Sequence, residues 1–407
     1  MSIAPHSQSF DRYFDKQMSL SGNASAELTP WDSISNNMTD PALPKETPPK
    51  EVPPTALERL RMAEYLRAGL HKAAKDGDDL IVECMIEEGA DVNIRAADGR
   101  TALHLAAEHG NEAAARILLE HGAHLNVQQS TEGDLLNKKF NGGRTPLHWA
   151  ADMGHEGIVR LLIDHKADMG LQNATGRSAL QEAIQHHERV AKLLIDSGAP
   201  LFEIDDEDWT LLHQAAYKGR LEIIQVLISK GLDIEARTAG NTIEKLSMAN
   251  ATPLLLTTNH SGNLPYCSSY LVDSGANIPA ENMSGDQSIH VACRRGYLPT
   301  VKVLLEAGAD IEARDSVHNE TPLLKAASMG KTDVISYLLH KGADITARNS
   351  RERDALMQAK MHEPGKHPEA VALLEKWYEG KRQAQSNPQP PSLSRSSSYR
   401  RVEDHPF

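Results

Sequence analysis

Four histidines recur at one place in a repeated phrase, at positions 71, 104, 148 and 213, and three cysteines stand at 84, 267 and 293. Imidazoles and thiols hold zinc or perform nucleophilic chemistry, so their spacing decides what they can do. Ligands of one zinc ion must each lie about 2.1 Å from it, whereas equivalent positions of stacked repeats sit roughly 10 Å apart. Periodicity therefore removes the histidines from consideration as a metal or catalytic set. It predicts instead that each bonds backbone between adjacent loops. The cysteines are odd in number, far apart and form no Cys-x-x-Cys pair, which reads as reduced thiols in an intracellular protein. Cys293 fills a slot that is alanine in better-formed repeats, as a small buried hydrophobe would. No Gly-x-Gly-x-x-Gly, Gly-x-Ser-x-Gly, Walker-type loop or His-Glu-x-x-His is present. These residues point away from an enzyme, and no cofactor or metal is expected.

The phrase that carries the histidines is clearest at Thr145-Pro146-Leu147-His148-Trp149-Ala150-Ala151, followed by Gly154 and Ile158-Val159-Arg160-Leu161-Leu162. Taking its Thr as the first position, equivalents fall at 68, 101, 145, 178, 210, 252, 287, 321 and 354. Most gaps are close to 33 residues, and two are stretched to 44 and 42 by inserts near 128–140 and 238–250. A period of this size means stacked supersecondary units, with inserts emerging as loops. Thr is a good N-cap and Pro suits the first helical position, where its missing N–H costs nothing. Ala-Ala lets neighbouring inner helices approach closely, and Gly permits the sharp turn into a second helix. Val-x-x-Leu-Leu is the buried stripe of that outer helix.

Composition bounds the rest. The formal net charge is -13 and no dense basic face appears, which disfavours direct nucleic-acid binding. The first 20 residues do not form a signal peptide, and no apolar run approaches 18 residues, so no membrane insertion is expected. Residues 1–55 read as a disordered Ser/Pro-rich region, with an apolar cluster at Phe10, Tyr13, Phe14, Met18 and Leu20 that is either tail or a short linear motif. Residues 56–380 form the repeat array with a capping helix at each end, and 381–407 a disordered Ser/Pro/Arg tail. In that tail Ser397 and Ser398 follow Arg395 and are candidate phosphorylation sites.

The repeated residues resemble the ankyrin repeat, whose usual phrase is Gly-x-Thr-Pro-Leu-His-x-Ala-Ala-x-x-Gly, over roughly residues 66–378. The resemblance implies an α-rich solenoid of helix-turn-helix units with β-hairpin fingers, binding partners in a concave groove lined by inner helices and finger tips. Departures occur at Lys166, which replaces Gly, at Gln181, which replaces His, and at Thr257-Thr258, which replace Ala-Ala. The last, in the sixth repeat, is either drift in a tolerant scaffold or a break between sub-arrays at 56–235 and 250–380.

That geometry nominates the positions after each Ala-Ala: Glu108, His109, Asp152, Met153, Tyr217, Lys218, His260, Arg294, Arg295 and Met329. Arg144, Arg177 and Trp209, each just before a phrase, join them at the finger tips. Trp209, Tyr217 and Lys218 fall in one repeat and are of the types that carry interface energy. The expected function is a monomeric, non-enzymatic adaptor, scaffold or inhibitor that binds intracellular proteins or peptides, in the cytoplasm or also in the nucleus. The alternatives are a nuclear transcription-associated regulator acting through a bound factor, or a targeting subunit recruiting a ligase or phosphatase.

Overall fold

A computed structural model of the chain describes residues 56–129, 142–205, 208–239, 248–259, 264–361 and 367–386. The chain divides into two units, 1–55 and 56–407, and all described residues belong to the second. The N-terminal apolar cluster, His260, Ser397, Ser398 and most of both inserts lie outside the described residues.

The described residues form nine consecutive helix pairs. The first four are α1 (Ala56–Asp76) with α2 (Asp79–Glu87), α3 (Ala102–His109) with α4 (Glu112–Glu120), α5 (Pro146–Met153) with α6 (Glu156–Asp164), and α7 (Ala179–His186) with α8 (Glu188–Asp196). Next come α9 (Leu211–Lys218) with α10 (Leu221–Ser229), α11 (Pro253–Asn259) with α12 (Pro265–Asp273), and α13 (Ser288–Arg295) with α14 (Leu298–Glu306). The last two are α15 (Pro322–Ser328) with α16 (Thr332–His340) and α17 (Ala355–Met361) with α18 (Pro368–Ser386). Odd-numbered helices pack closely on one another in chain order, and the even-numbered ones form a sparser second row. None of these helices is long and apolar enough to cross a membrane.

Local chemistry sets each unit. At α5 the Thr145 hydroxyl accepts from the His148 backbone N–H, while the Thr145 N–H donates to His148 Nδ1 at 3.2 Å. With Nδ1 accepting, the ring proton sits on Nε2 and donates to the Arg177 carbonyl in the next loop at 3.0 Å. His104 and His213 make the same two contacts, to the carbonyls of Arg144 and Ala236. The recurring histidine is thus a staple between repeats. Ala106, Ala107, Ala150, Ala151, Ala215 and Ala216 are fully buried where inner helices meet. The turn after α3 needs glycine twice over: Gly110 has φ +80, and a Cβ there would lie 2.7 Å from the His155 ring.

The expected β-hairpin fingers are not formed. Among the described residues there is no strand, only isolated antiparallel bridges at Gln172–Ser178, Ile204–Thr210 and Glu281–Gln287. The loops close with one or two backbone bonds, as where the Asn173 N–H donates to the Arg177 carbonyl at 2.8 Å and the Gly176 N–H to the Asn173 carbonyl at 3.0 Å. The Asn173 side chain then takes the N–H groups of Thr175 and Arg177 at 2.9 and 3.1 Å. A side chain that satisfies the turn leaves no backbone pair to extend a ladder.

Loops are joined to one another mainly by side chains. In one row Arg95 donates to the Gln128 carbonyl, Gln128 to that of Gln172, and Gln172 to that of Ile204, at 3.0, 2.9 and 3.3 Å. The sixth unit is irregular without interrupting the stack, since α11 packs against both α9 and α13. Its Thr257 and Thr258 hydroxyls donate to the Leu254 and Leu255 carbonyls, each at 2.7 Å, so neither is buried unsatisfied.

Candidate protein-binding surface

Three side-chain positions recur along the inner helices: the residue before the N-cap, the residue eight places later, and the slot after the capping histidine. In the early repeats the first two are an arginine and an acid. Arg100 Nη1 lies 2.6 Å from Glu108 Oε2, and Arg144 Nη1 lies 2.7 Å from Asp152 Oδ2. In the seventh repeat the sign reverses, with Asp286 Oδ2 at 2.9 Å from Arg294 Nη1. The third position links repeats: Glu182 meets Arg144 of the preceding unit at 3.2 Å, and Lys325 meets Asp286 of the preceding unit at 2.9 Å. Lys325 also reaches Asp315 and Glu320, at 3.0 and 3.2 Å. Burial alone would push its ammonium toward neutrality, but Asp286 and the other carboxylates outweigh burial and raise it above the usual lysine range.

Between these charged stretches the ladder turns apolar. Trp209 and Tyr217 hold the arginine and acid positions of the fifth repeat, and Leu256 and Val291 hold the slot after the histidine position in the sixth and seventh. Trp209, Tyr217 and Met248 are half-buried against a core cluster of Ala251, Leu255, Leu256 and Val291. Trp209 packs edge to face on Tyr217, and Lys218 Nζ lies 5.9 Å from the centre of the Tyr217 ring. Burial, then Arg220 and Arg177, push the Lys218 ammonium below the ordinary lysine range. Two ordered aromatic rings beside a partly desolvated cation lose little freedom or hydration when a partner arrives.

The structure therefore brings Trp209, Tyr217 and Lys218 together. Glu108, Arg144, Asp152 and Arg294 are instead engaged in the ladder's own ion pairs. Arg144 is buried, with its guanidinium carbon 4.7 Å from the centre of the Trp149 ring. Arg177 pairs with Asp205 at 3.5 Å, and Arg295 donates to the Asn259 side chain at 2.8 Å. His109 bonds back to the Leu105 carbonyl, while Met153 and Met329 stand exposed. Glu182, Asp286 and Lys325 escaped the sequence reading, which placed Glu320 at a finger tip. The signal was the variable slot after the histidine, which reads Leu105, Trp149, Glu182, Gln214, Leu256, Val291, Lys325 and Gln358. All eight are buried whatever their charge.

The thiols are poor nucleophiles. Cys267 and Cys293 are buried; burial pushes the Cys267 thiol up to about 11 and the Cys293 thiol further.

A family model described as ankyrin repeats (3 copies) matches residues 70–173 and 165–238, and one described as ankyrin repeats (many copies) matches 289–339. The B-cell lymphoma 3 protein homolog of Mus musculus is 31% identical over 166 residues, covering 39% of this chain and 34% of that protein. The Homo sapiens B-cell lymphoma 3 protein is 30% identical over 166 residues, with the same shares covered. The Caenorhabditis elegans ankyrin repeat and KH domain-containing protein mask-1 is 30% identical over 164 residues, 39% of this chain and 6% of that one. The chain thus spans about a third of the length of the B-cell lymphoma 3 proteins it matches.

Proposed function

Because the chain belongs to the ankyrin-repeat family, we propose that its inner-helix row holds a protein or peptide partner at the segment of Trp209, Tyr217 and Lys218. The chain is a non-enzymatic interaction module of the scaffold or adaptor kind. The observation that carries the choice of segment is the change in the ladder. Its charged stretches are satisfied within the chain, whereas the aromatic stretch presents half-buried Trp and Tyr edges beside a lysine. Met153 and Met329, exposed on the same row of helices, offer adaptable apolar contacts on either side. Free thiols at Cys84, Cys267 and Cys293 favour a reducing compartment, the cytoplasm or the nucleus.

Affinity capture from native extract tests this reading, with wild type compared against Trp209→Ala/Tyr217→Ala. The double variant is expected to fold and to lose a defined partner, with affinity weakened more than about tenfold. Identical captures from the two proteins would refute it.

A further inference from the structure

Three rows of side chains staple each loop to its neighbours, and all three change at the loop spanning 200–209. The histidine row runs from His71, His104 and His148 to the next loop's carbonyls, but the fourth repeat has Gln181, whose buried Nε2 has no partner. In a second row, Asn93 and Asn126 accept the N–H groups of His124 and Asp168 in the following unit, and Glu235 and Glu312 do the same for Asn277 and Asp344. The equivalent residue in this loop is Phe202. In the third row the arginine and glutamine donors give way to Ile204. The loop at 276–287 also drops these staples, but through Pro279 and Glu281, residues at ease in water. Phe202 and Ile204 are not: they are 77% and 51% exposed. Two polar staple positions have become exposed apolar side chains on one edge.

Acidic side chains accompany that edge. Glu203 lies between Phe202 and Ile204, Asp208 is exposed at the end of the same loop, and Asp168 stands close enough to Glu203 to raise its carboxyl beyond the effect of burial. Asp205 is buried and pairs with Arg177 at 3.5 Å, so the acids that this loop offers at the edge are Glu203 and Asp208.

We infer that the edge formed by Phe202 and Ile204 is a second docking surface, one that takes a partner segment of apolar side chains flanked by lysine or arginine. The apolar pair supplies the anchor, and Glu203 and Asp208 supply the charge that orients the incoming cations. This surface uses different residues from the Trp209–Tyr217 segment and stands whether or not that segment binds.

The test uses the purified full chain and a fluorescein-labelled twelve-residue peptide of alternating Leu and Lys, read by anisotropy. Phe202→Ser/Ile204→Ser is expected to weaken binding at least about tenfold without lowering the melting temperature, since both side chains are exposed. Glu203→Gln/Asp208→Asn is expected to weaken it and to flatten its salt dependence. Trp209→Ala/Tyr217→Ala should bind the peptide like wild type. Unchanged binding by Phe202→Ser/Ile204→Ser overturns the proposal, as does a Lys/Ser peptide binding equally well, which would reduce the effect to bulk charge. Binding lost only in Trp209→Ala/Tyr217→Ala overturns it and leaves the inner-row reading standing. A wild-type dimer in sedimentation that Phe202→Ser/Ile204→Ser abolishes, with no peptide binding, would make the occupant a second copy and also overturn it.

Discussion

Trp209 and Tyr217 meet edge to face, with ring centroids 5.5 Å apart and planes at 85°. They occupy the two positions, eight residues apart, where Arg144 pairs with Asp152 and Asp286 pairs with Arg294. One backbone geometry therefore carries an ion pair of either sense or an aromatic pair. The ion pairs lie within a repeat and present Arg144 and Asp286 to Glu182 and Lys325 of the next repeat, whereas the aromatic pair leaves an amphipathic surface. Two uses of one scaffold position follow, and they respond differently to substitution.

Arg144→Ala is expected to destabilise the fold by about 3 kcal/mol, because it strands the buried Glu182 beside a half-buried Asp152. Arg100→Ala removes a more exposed guanidinium and should shift stability by less than about 1 kcal/mol. Urea denaturation of the two variants checks the order. A smaller effect at Arg144 than at Arg100 would mean that the ladder does not hold the repeats.

Stability should fall on mild acidification. Burial holds His104, His148 and His213 down to about 4 in the folded chain, against an ordinary 6.5. Between those values the unfolded chain binds more protons, so these groups contribute fully above pH 6.5 and their contribution is lost as pH falls toward 4. Each histidine contributes a slope of up to about 1.4 kcal/mol per pH unit. Urea midpoints that stay flat between pH 6.5 and 4.5 would contradict the staple assignment.

Gln181→His should restore the missing staple. The histidine would cap Ser178 as Gln181 does and place a donor toward the carbonyl of the following loop, raising stability by about 1 kcal/mol. Thermal melts compare the two proteins; no gain would mean that the loop at 200–209 sits out of reach.

Thiol labelling at pH 8 should discriminate among the cysteines. Cys84 is half-buried and should react slowly, whereas Cys267 and Cys293 should stay unlabelled until urea unfolds the chain. Rapid labelling of Cys293 in the native protein would place it at a surface.

The helix pairs were legible because each phrase states its own cap, close contact and turn, as Thr145, Ala150-Ala151 and Gly154 do. The aromatic pair was legible for the same reason, since Trp209 and Tyr217 stand at fixed places in one repeat. What escaped depends on neighbouring repeats. Arg144 reads as an exposed tip until Glu182, 38 residues on, is seen to meet it. Lys325 reads as an ordinary lysine until three carboxylates from two loops surround it. The strands expected of the loops failed because Asn173 and its equivalents use side-chain oxygens to close the turn, a local competition that the repeat pattern does not display.

The most direct test of partner binding at the inner row is site-specific photocrosslinking in native extract. A photoreactive phenylalanine analogue would replace either Lys218, beside the aromatic pair, or Tyr266, which is 79% exposed on the outer helix α12. A discrete crosslinked partner from position 218 and none from position 266 is the expected result. Crosslinking from 266 with nothing at 218 would contradict it.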